Sequence, residues 1–112
     1  MANSKDGGGI QATRAAHNQA LWREVNERIK DVAQTSAEME FICECADLDC
    51  TMTLKLSLVE YELIRRSPVR FPIAPGHEVA GVEKIVEENH HYVVVEKLGE
   101  AAEVSAELDP RS

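Results

Sequence analysis

Phe41-Ile42-Cys43-Glu44-Cys45-Ala46-Asp47-Leu48-Asp49-Cys50-Thr51-Met52-Thr53-Leu54-Lys55-Leu56 is the stretch from which the rest of the chain is read. Residues 40–45 carry the aromatic and β-branched composition of a strand. Ala46-Asp47-Leu48-Asp49 supplies a turn. Residues 51–56 alternate Thr51, Thr53 and Lys55 with Met52, Leu54 and Leu56, the period of a half-buried strand. Within this hairpin Cys43 and Cys45 are two positions apart, so their side chains share one face. The four-residue turn then brings the chain back to Cys50, and three sulfurs can converge at one end of the hairpin.

Working outward, residues 1–10 include Gly7-Gly8-Gly9 and read as a flexible N-terminal tail. From about Gln11 to Gln34, Trp22, Val25, Ile29 and Val32 recur at helical steps and predict a long amphipathic helix. That helix packs on its own domain or offers the Trp22, Val25 and Ile29 face to a protein partner. Gln34-Thr35-Ser36 ends the helical period. After the hairpin, Ser57 and Glu60 form a capping box for a second short helix with Leu58, Tyr61 and Ile64 on its apolar side. Arg65 and Arg66 lie at its C-terminal end and Pro68 stops it. Arg65, Arg66 and Arg70 make the only compact basic patch, a second possible contact for a protein partner.

Pro75-Gly76 is a turn dipeptide following an extended piece at residues 70–74. Residues 82–88 and 92–97 predict a second hairpin turning at Asn89-His90. The segment from Gly99, with Ala101, Ala102, Val104 and Leu108, allows a short docking helix before a C-terminal tail at residues 109–112. The expected fold is α+β: a long N-terminal helix and a short second helix on a small antiparallel sheet, in one domain spanning residues 11–108.

With 112 residues, one domain is the natural division. Apolar residues make up 44 %, but only two Phe, two Tyr and one Trp are among them, so aliphatic residues must supply most of the core. Twelve Lys and Arg face twenty Asp and Glu, a net charge of −8. That balance argues against nucleic acid or an anionic membrane surface as partner. No apolar stretch predicts a membrane span, and Met1–Gly9 has no signal-peptide pattern, so the expected location is cytoplasmic. An odd number of cysteines, three, does not make a disulfide framework and fits a reducing compartment.

The clustered cysteines suggest a structural Zn2+ site, which closes with four thiolate or imidazole ligands. His77, presented by the Pro75-Gly76 turn, is the first choice for the fourth ligand. His90 and His91 at the second hairpin tip come next, then water, with His17 on the long helix the poorest choice. The same spacing also fits three cysteines buried as small apolar groups. Glu38, Glu40, Glu44, Asp47 and Asp49, with no basic residue between 38 and 50, favour a dication and disfavour a reactive thiolate.

The chain resembles a family of small, uncharacterised bacterial hypothetical proteins carrying a C-x-C-x4-C cluster and a downstream Pro-Gly-His motif. The matching pieces are Asn26-Glu27-Arg28-Ile29, Phe41-Ile42-Cys43-Glu44-Cys45 with Cys50, Tyr61-Glu62 before Arg65, Arg70-Phe71, Pro75-Gly76-His77-Glu78, Val95-Glu96-Lys97 and Gly99-Glu100-Ala101. The resemblance covers about residues 20–111. It implies that the cysteines and His77 form one module, with Cys43, Cys45, Cys50 and His77 as the metal ligands, and it supplies no activity.

Catalytic motifs are missing. His77-Glu78 begins like a zincin helix, but Gly81 stands where the second histidine belongs. A Cys50–His77 nucleophile pair would make a small cysteine enzyme, yet the acidic surroundings oppose it. The expectation is a non-enzymatic, zinc-stabilised binding or regulatory module. The alternative is a thiol redox sensor that releases zinc when its cysteines are oxidised.

Overall fold

The computed structural model describes residues 4–32 and 38–111, with the side chains of residues 14–31 and 38–111. Its order is α1 (Ser4–Val32), β1 (Met39–Ile42), β2 (Thr53–Leu56), α2 (Leu58–Arg65), β3 (Arg70–Ile73), β4 (Glu83–Glu88), β5 (Val93–Lys97) and α3 (Gly99–Glu107). This is an α+β fold with two small antiparallel sheets, β1-β2 and β3-β5-β4. The predicted break at Gln34-Thr35-Ser36, the side chain of Val32 and the first three residues of the predicted tail lie outside the described residues.

Both predicted hairpins form. β1 pairs β2 from Met39↔Leu56 to Ile42↔Thr53, and β4 pairs β5 with a register shift between Ile85 and Glu87. The extra residue there, Val86, is a bulge of the kind that increases local twist. The two sheets are not separate bodies. Beyond the β1 ladder, Cys43 N–H donates to Met52 O at 3.0 Å on one side, and Glu44 N–H donates to Pro72 O at 3.0 Å on the other. The cysteine segment is therefore the seam between the sheets.

α2 starts as its sequence dictates. Glu60 N–H donates to Ser57 Oγ at 3.1 Å while Ser57 N–H donates to Glu60 Oε1 at 2.8 Å, so both ends of the capping box close. The helix places Tyr61 flat on Phe41, with ring centroids 4.6 Å apart. Such pairs contribute about 0.5–1.5 kcal/mol beyond the area they bury. Leu54, Leu56, Ile64, Phe71, Ile73 and Val93–Val95 complete a largely aliphatic core that also contains all three cysteines.

The structure corrects the predicted face of α1. Its buried stripe is Ala15, Ala16, Gln19, Ala20, Arg23 and Asn26, whereas Val25 is exposed and Trp22 and Ile29 are only half-buried. The physical reason lies in what the helix meets. Arg23 is fully buried, donating to Pro68 O at 2.7 Å and Ser105 O at 2.9 Å, with its guanidinium 4.4 Å from the Phe71 ring centroid. A surface of backbone carbonyls calls for buried donors, which an apolar periodicity does not register. α1 also begins at Ser4, within the stretch predicted as tail. Extending an existing helix through Gly7-Gly8-Gly9 avoids the nucleation cost even where propensity is poor.

The predicted basic patch is corrected as well. Arg65 is only 3 % exposed, pairing with Glu27 at 2.8 Å and Asp109 at 2.5 Å, which leaves Arg66 and Arg70 without their central member. Arg70 itself pairs with Glu96 at 2.9 Å. The segment predicted as a C-terminal tail supplies the partners: Asp109 is buried, and Arg111 bridges Glu27 at 2.6 Å and Glu62 at 2.8 Å. A second buried pair, Glu83 with Lys97 at 2.8 Å, fastens the start of β4 to the end of β5.

Candidate metal centre

Cys43 leaves the end of β1 with its backbone still paired to Met52, which fixes its direction. Two residues on, Cys45 points to the same side. The turn back to Cys50 is set by Asp47: its carboxylate accepts from Asp49 N–H at 2.8 Å, and its carbonyl accepts from Cys50 N–H at 3.1 Å. These are the short local bonds that make Asp a turn residue. The predicted hairpin end thus becomes a compact loop beyond the strand ladder.

The fourth group comes from the segment after β3. His77 N–H donates to Ala74 O at 3.1 Å across Pro75 and Gly76, and Gly76 has φ +88°. Pro second and a left-handed Gly third are the requirements of a type II turn. The turn delivers His77 Nδ1 to 3.5 Å from Cys43 Sγ and 3.7 Å from Cys50 Sγ. One ligand atom from each of Cys43, Cys45, Cys50 and His77 lies within 4.8 Å of the others, and together they could hold a metal ion. His90 and His91, exposed at the β4–β5 tip, and His17, exposed on α1, are not in the group.

Burial defines the electrostatics. All three cysteines are buried, Cys50 the most accessible at 8 %, and His77 is half-buried. Desolvation pushes the Cys43 thiol far up, with the neighbouring Cys45 and Cys50 adding to it, and desolvation likewise raises Cys45. Ala74 N–H opposes this by donating to Cys43 Sγ at 3.1 Å. A cation at the centre would reverse the balance, because it stabilises the three thiolates, whose protons leave to solvent, while His77 binds as the neutral imidazole.

The residues that sequence reasoning missed are those that hold the loop. Asn26 exchanges two hydrogen bonds with Ile42, Nδ2 to the carbonyl at 2.8 Å and Oδ1 from the N–H at 2.7 Å. Gln19 Nε2 donates to Glu44 O at 3.0 Å, Asn18 Nδ2 to Ala46 O at 2.6 Å, and Trp22 Nε1 to Asp47 O at 3.1 Å. α1 therefore does for residues 42–47 what a neighbouring strand would do. The signal available in the sequence was a polar stripe, Gln19 and Asn26 at helical spacing, rather than an apolar one.

Glu44 points away from the cysteines, as alternation requires, and is fully buried. Its Oε2 accepts from Asn26 Nδ2 at 2.7 Å and from the Tyr61 hydroxyl at 3.1 Å. Desolvation still outweighs these donors and the nearby Arg23 and Arg65, and raises its pKa to about 7. Between the unfolded value and 7 the folded state binds the extra proton, so stability from this group is full below about 4.5 and falls as pH rises toward 7. Glu44→Gln is accordingly expected to gain about 3 kcal/mol relative to wild type between pH 4.5 and pH 7. Urea unfolding of the two proteins across that range checks it; a pH-independent difference would contradict the buried carboxylate.

Comparison of the chain with family models, with curated proteins and with solved structures returned no match.

Proposed function

We propose that the protein is a zinc-stabilised, non-enzymatic binding or regulatory module, with the ion held by Cys43, Cys45, Cys50 and Nδ1 of His77. The carrying observation is the spacing of the ligand atoms. A tetrahedral site with Zn–S bonds of about 2.3 Å and a Zn–N bond of about 2.0–2.1 Å has S···N edges of about 3.6 Å. The two sulfur distances to His77 Nδ1, 3.5 and 3.7 Å, bracket that value. Three thiolates and one imidazole are a soft donor set that suits zinc over hard, oxygen-seeking cations. With all four positions filled by protein, such a site is closed, the form that structural zinc takes.

The ion would supply a crosslink. It ties the end of the β1-β2 hairpin to the loop between β3 and β4, two places joined otherwise by the Glu44–Pro72 bond and by the Cys43–Ala74 contact. Using all three thiols as ligands leaves no thiol nucleophile in the cluster, which supports a non-catalytic role. Reduced thiols are a condition of the site, in keeping with a cytoplasmic location.

Cobalt substitution tests the ligand set. Co2+ added to metal-free protein should saturate at one equivalent, with thiolate-to-metal charge-transfer bands and intense tetrahedral d–d bands. Cys50→Ser and His77→Ala should each alter both sets of bands, while His90→Ala and His91→Ala leave them unchanged. Weak octahedral spectra, or spectra insensitive to His77→Ala, would overturn the assignment.

A further inference from the structure

The segment that carries the cysteines has a second face, and it is ionic. Glu44, alternating with Cys43 and Cys45, lies in the interior with Arg23 of α1 and Arg65 of α2, and all three side chains are buried. Buried charges persist where their polar atoms find partners, and most of these atoms do. Arg23 Nη1 and Nη2 donate to Pro68 O and Ser105 O, and Arg65 Nε and Nη2 donate to Glu27 and Asp109. Glu44 Oε2 accepts from Asn26 Nδ2 and from the Tyr61 hydroxyl. Three atoms are left over: Glu44 Oε1, Arg23 Nε and Arg65 Nη1. They are half of the six buried side-chain nitrogen and oxygen atoms without a hydrogen-bond partner among the described residues.

The three groups lie in one another's field. Burial raises the Glu44 pKa while Arg23 and Arg65 both act against it, and burial lowers that of Arg23 with Arg65 adding to the effect. Yet among the described residues Glu44 makes neither an ion pair nor a hydrogen bond with either arginine. Near enough to interact and too far to bond is the spacing of polar groups bridged by a small molecule. The chemistry of the leftover atoms selects which one. They are two N–H donors on cations and one carboxylate oxygen. An anion would satisfy the guanidinium groups and confront the carboxylate, and a metal cation would do the reverse. Water accepts from Arg23 Nε and Arg65 Nη1 and donates to Glu44 Oε1, about the three bonds usual for a buried water. We propose that Glu44 Oε1, Arg23 Nε and Arg65 Nη1 together bind one structural water in the interior of the domain. This water ties the back of the cysteine segment to α1 and α2 at once. None of the four candidate metal ligands takes part, so the site stands independently of the ion.

A crystal structure of the full-length, reduced protein soaked in bromide tests the place and the occupant together. The expected result is a single peak within hydrogen-bond distance of Arg23 Nε, Arg65 Nη1 and Glu44 Oε1, with no anomalous signal at the bromine edge. A bromide peak there would overturn the proposal and assign an anion site instead. No peak there, whether or not Glu44 touches an arginine directly, would overturn it as well. In solution, oxygen-17 relaxation dispersion counts the waters that stay in the folded chain for longer than it tumbles. The method follows the water oxygen, so exchanging side-chain protons do not mimic the signal. At least one such water per folded chain is expected, and a count of zero would contradict the site.

Discussion

Chelation of the ion is expected to lower the thermal midpoint by ~20 °C or more, or to abolish the cooperative transition altogether. The core is small and poor in aromatic residues, and a domain of this size has only about 5–15 kcal/mol of net stability. Closed zinc sites contribute on that same scale, because the unfolded chain has no preformed site to compete for the metal. In a domain this small each kcal/mol moves the midpoint by roughly 4–8 °C. The loss falls on the tie between the cysteine loop and the segment after β3. Residues 43–50 lie outside the strand ladders, and the ion would be their main link to the Pro75-Gly76-His77 turn. Circular dichroism melts with and without chelator, and of Cys50→Ser in the presence of zinc, should show the same large drop. Melts unmoved by chelator would show that the cluster packs as three small apolar groups and a histidine.

Asn26→Ala is expected to cost about 3–4 kcal/mol, more than a truncation at an exposed helix position by several-fold. The change strands the Ile42 N–H and carbonyl, which are part-buried, and removes the donor held 2.7 Å from the buried Glu44 carboxylate. A lost hydrogen bond contributes about 1 kcal/mol net, but each buried group left without a partner costs about 1–3 kcal/mol. Asn26→Asp separates the terms. It keeps an acceptor for Ile42 N–H but sets a second carboxylate against Glu44, so its deficit should widen as pH rises toward 7, where Glu44 ionises. Urea unfolding at pH 5 and pH 7.5 reads both effects. A cost below about 1 kcal/mol for Asn26→Ala would mean that α1 is not what holds the cysteine loop.

What the sequence made legible is what depends on near neighbours. The Ser57–Glu60 capping box, the Pro75-Gly76 turn before His77 and the C-x-C-x4-C hairpin each close over four to eight residues, and all three are in the structure as expected. The grouping of His77 with Cys43, Cys45 and Cys50 spans the chain from 43 to 77. It was nevertheless legible as the first choice over His90 and His91, because a closed zinc site takes four ligands and the Pro75-Gly76 turn presents His77. The orientation of α1 was not legible. Trp22, Val25 and Ile29 gave an apolar stripe, while the buried side is carried by Gln19, Arg23 and Asn26, whose partners are carbonyls 16 to 82 residues away. Arg65 failed for the same reason. Its partners Glu27 and Asp109 lie 38 and 44 residues distant, and nothing local distinguishes a buried arginine from one at a helix end.

The central claim is that one ion occupies the Cys43, Cys45, Cys50 and His77 set, and native mass spectrometry of tag-free, reduced protein measures it most directly. The account predicts one zinc per chain, lost in Cys43→Ser and His77→Ala and kept in His91→Ala. It also predicts three thiols protected from alkylation until the metal is removed. A metal-free mass for the folded protein, after growth and purification with zinc present, would contradict it.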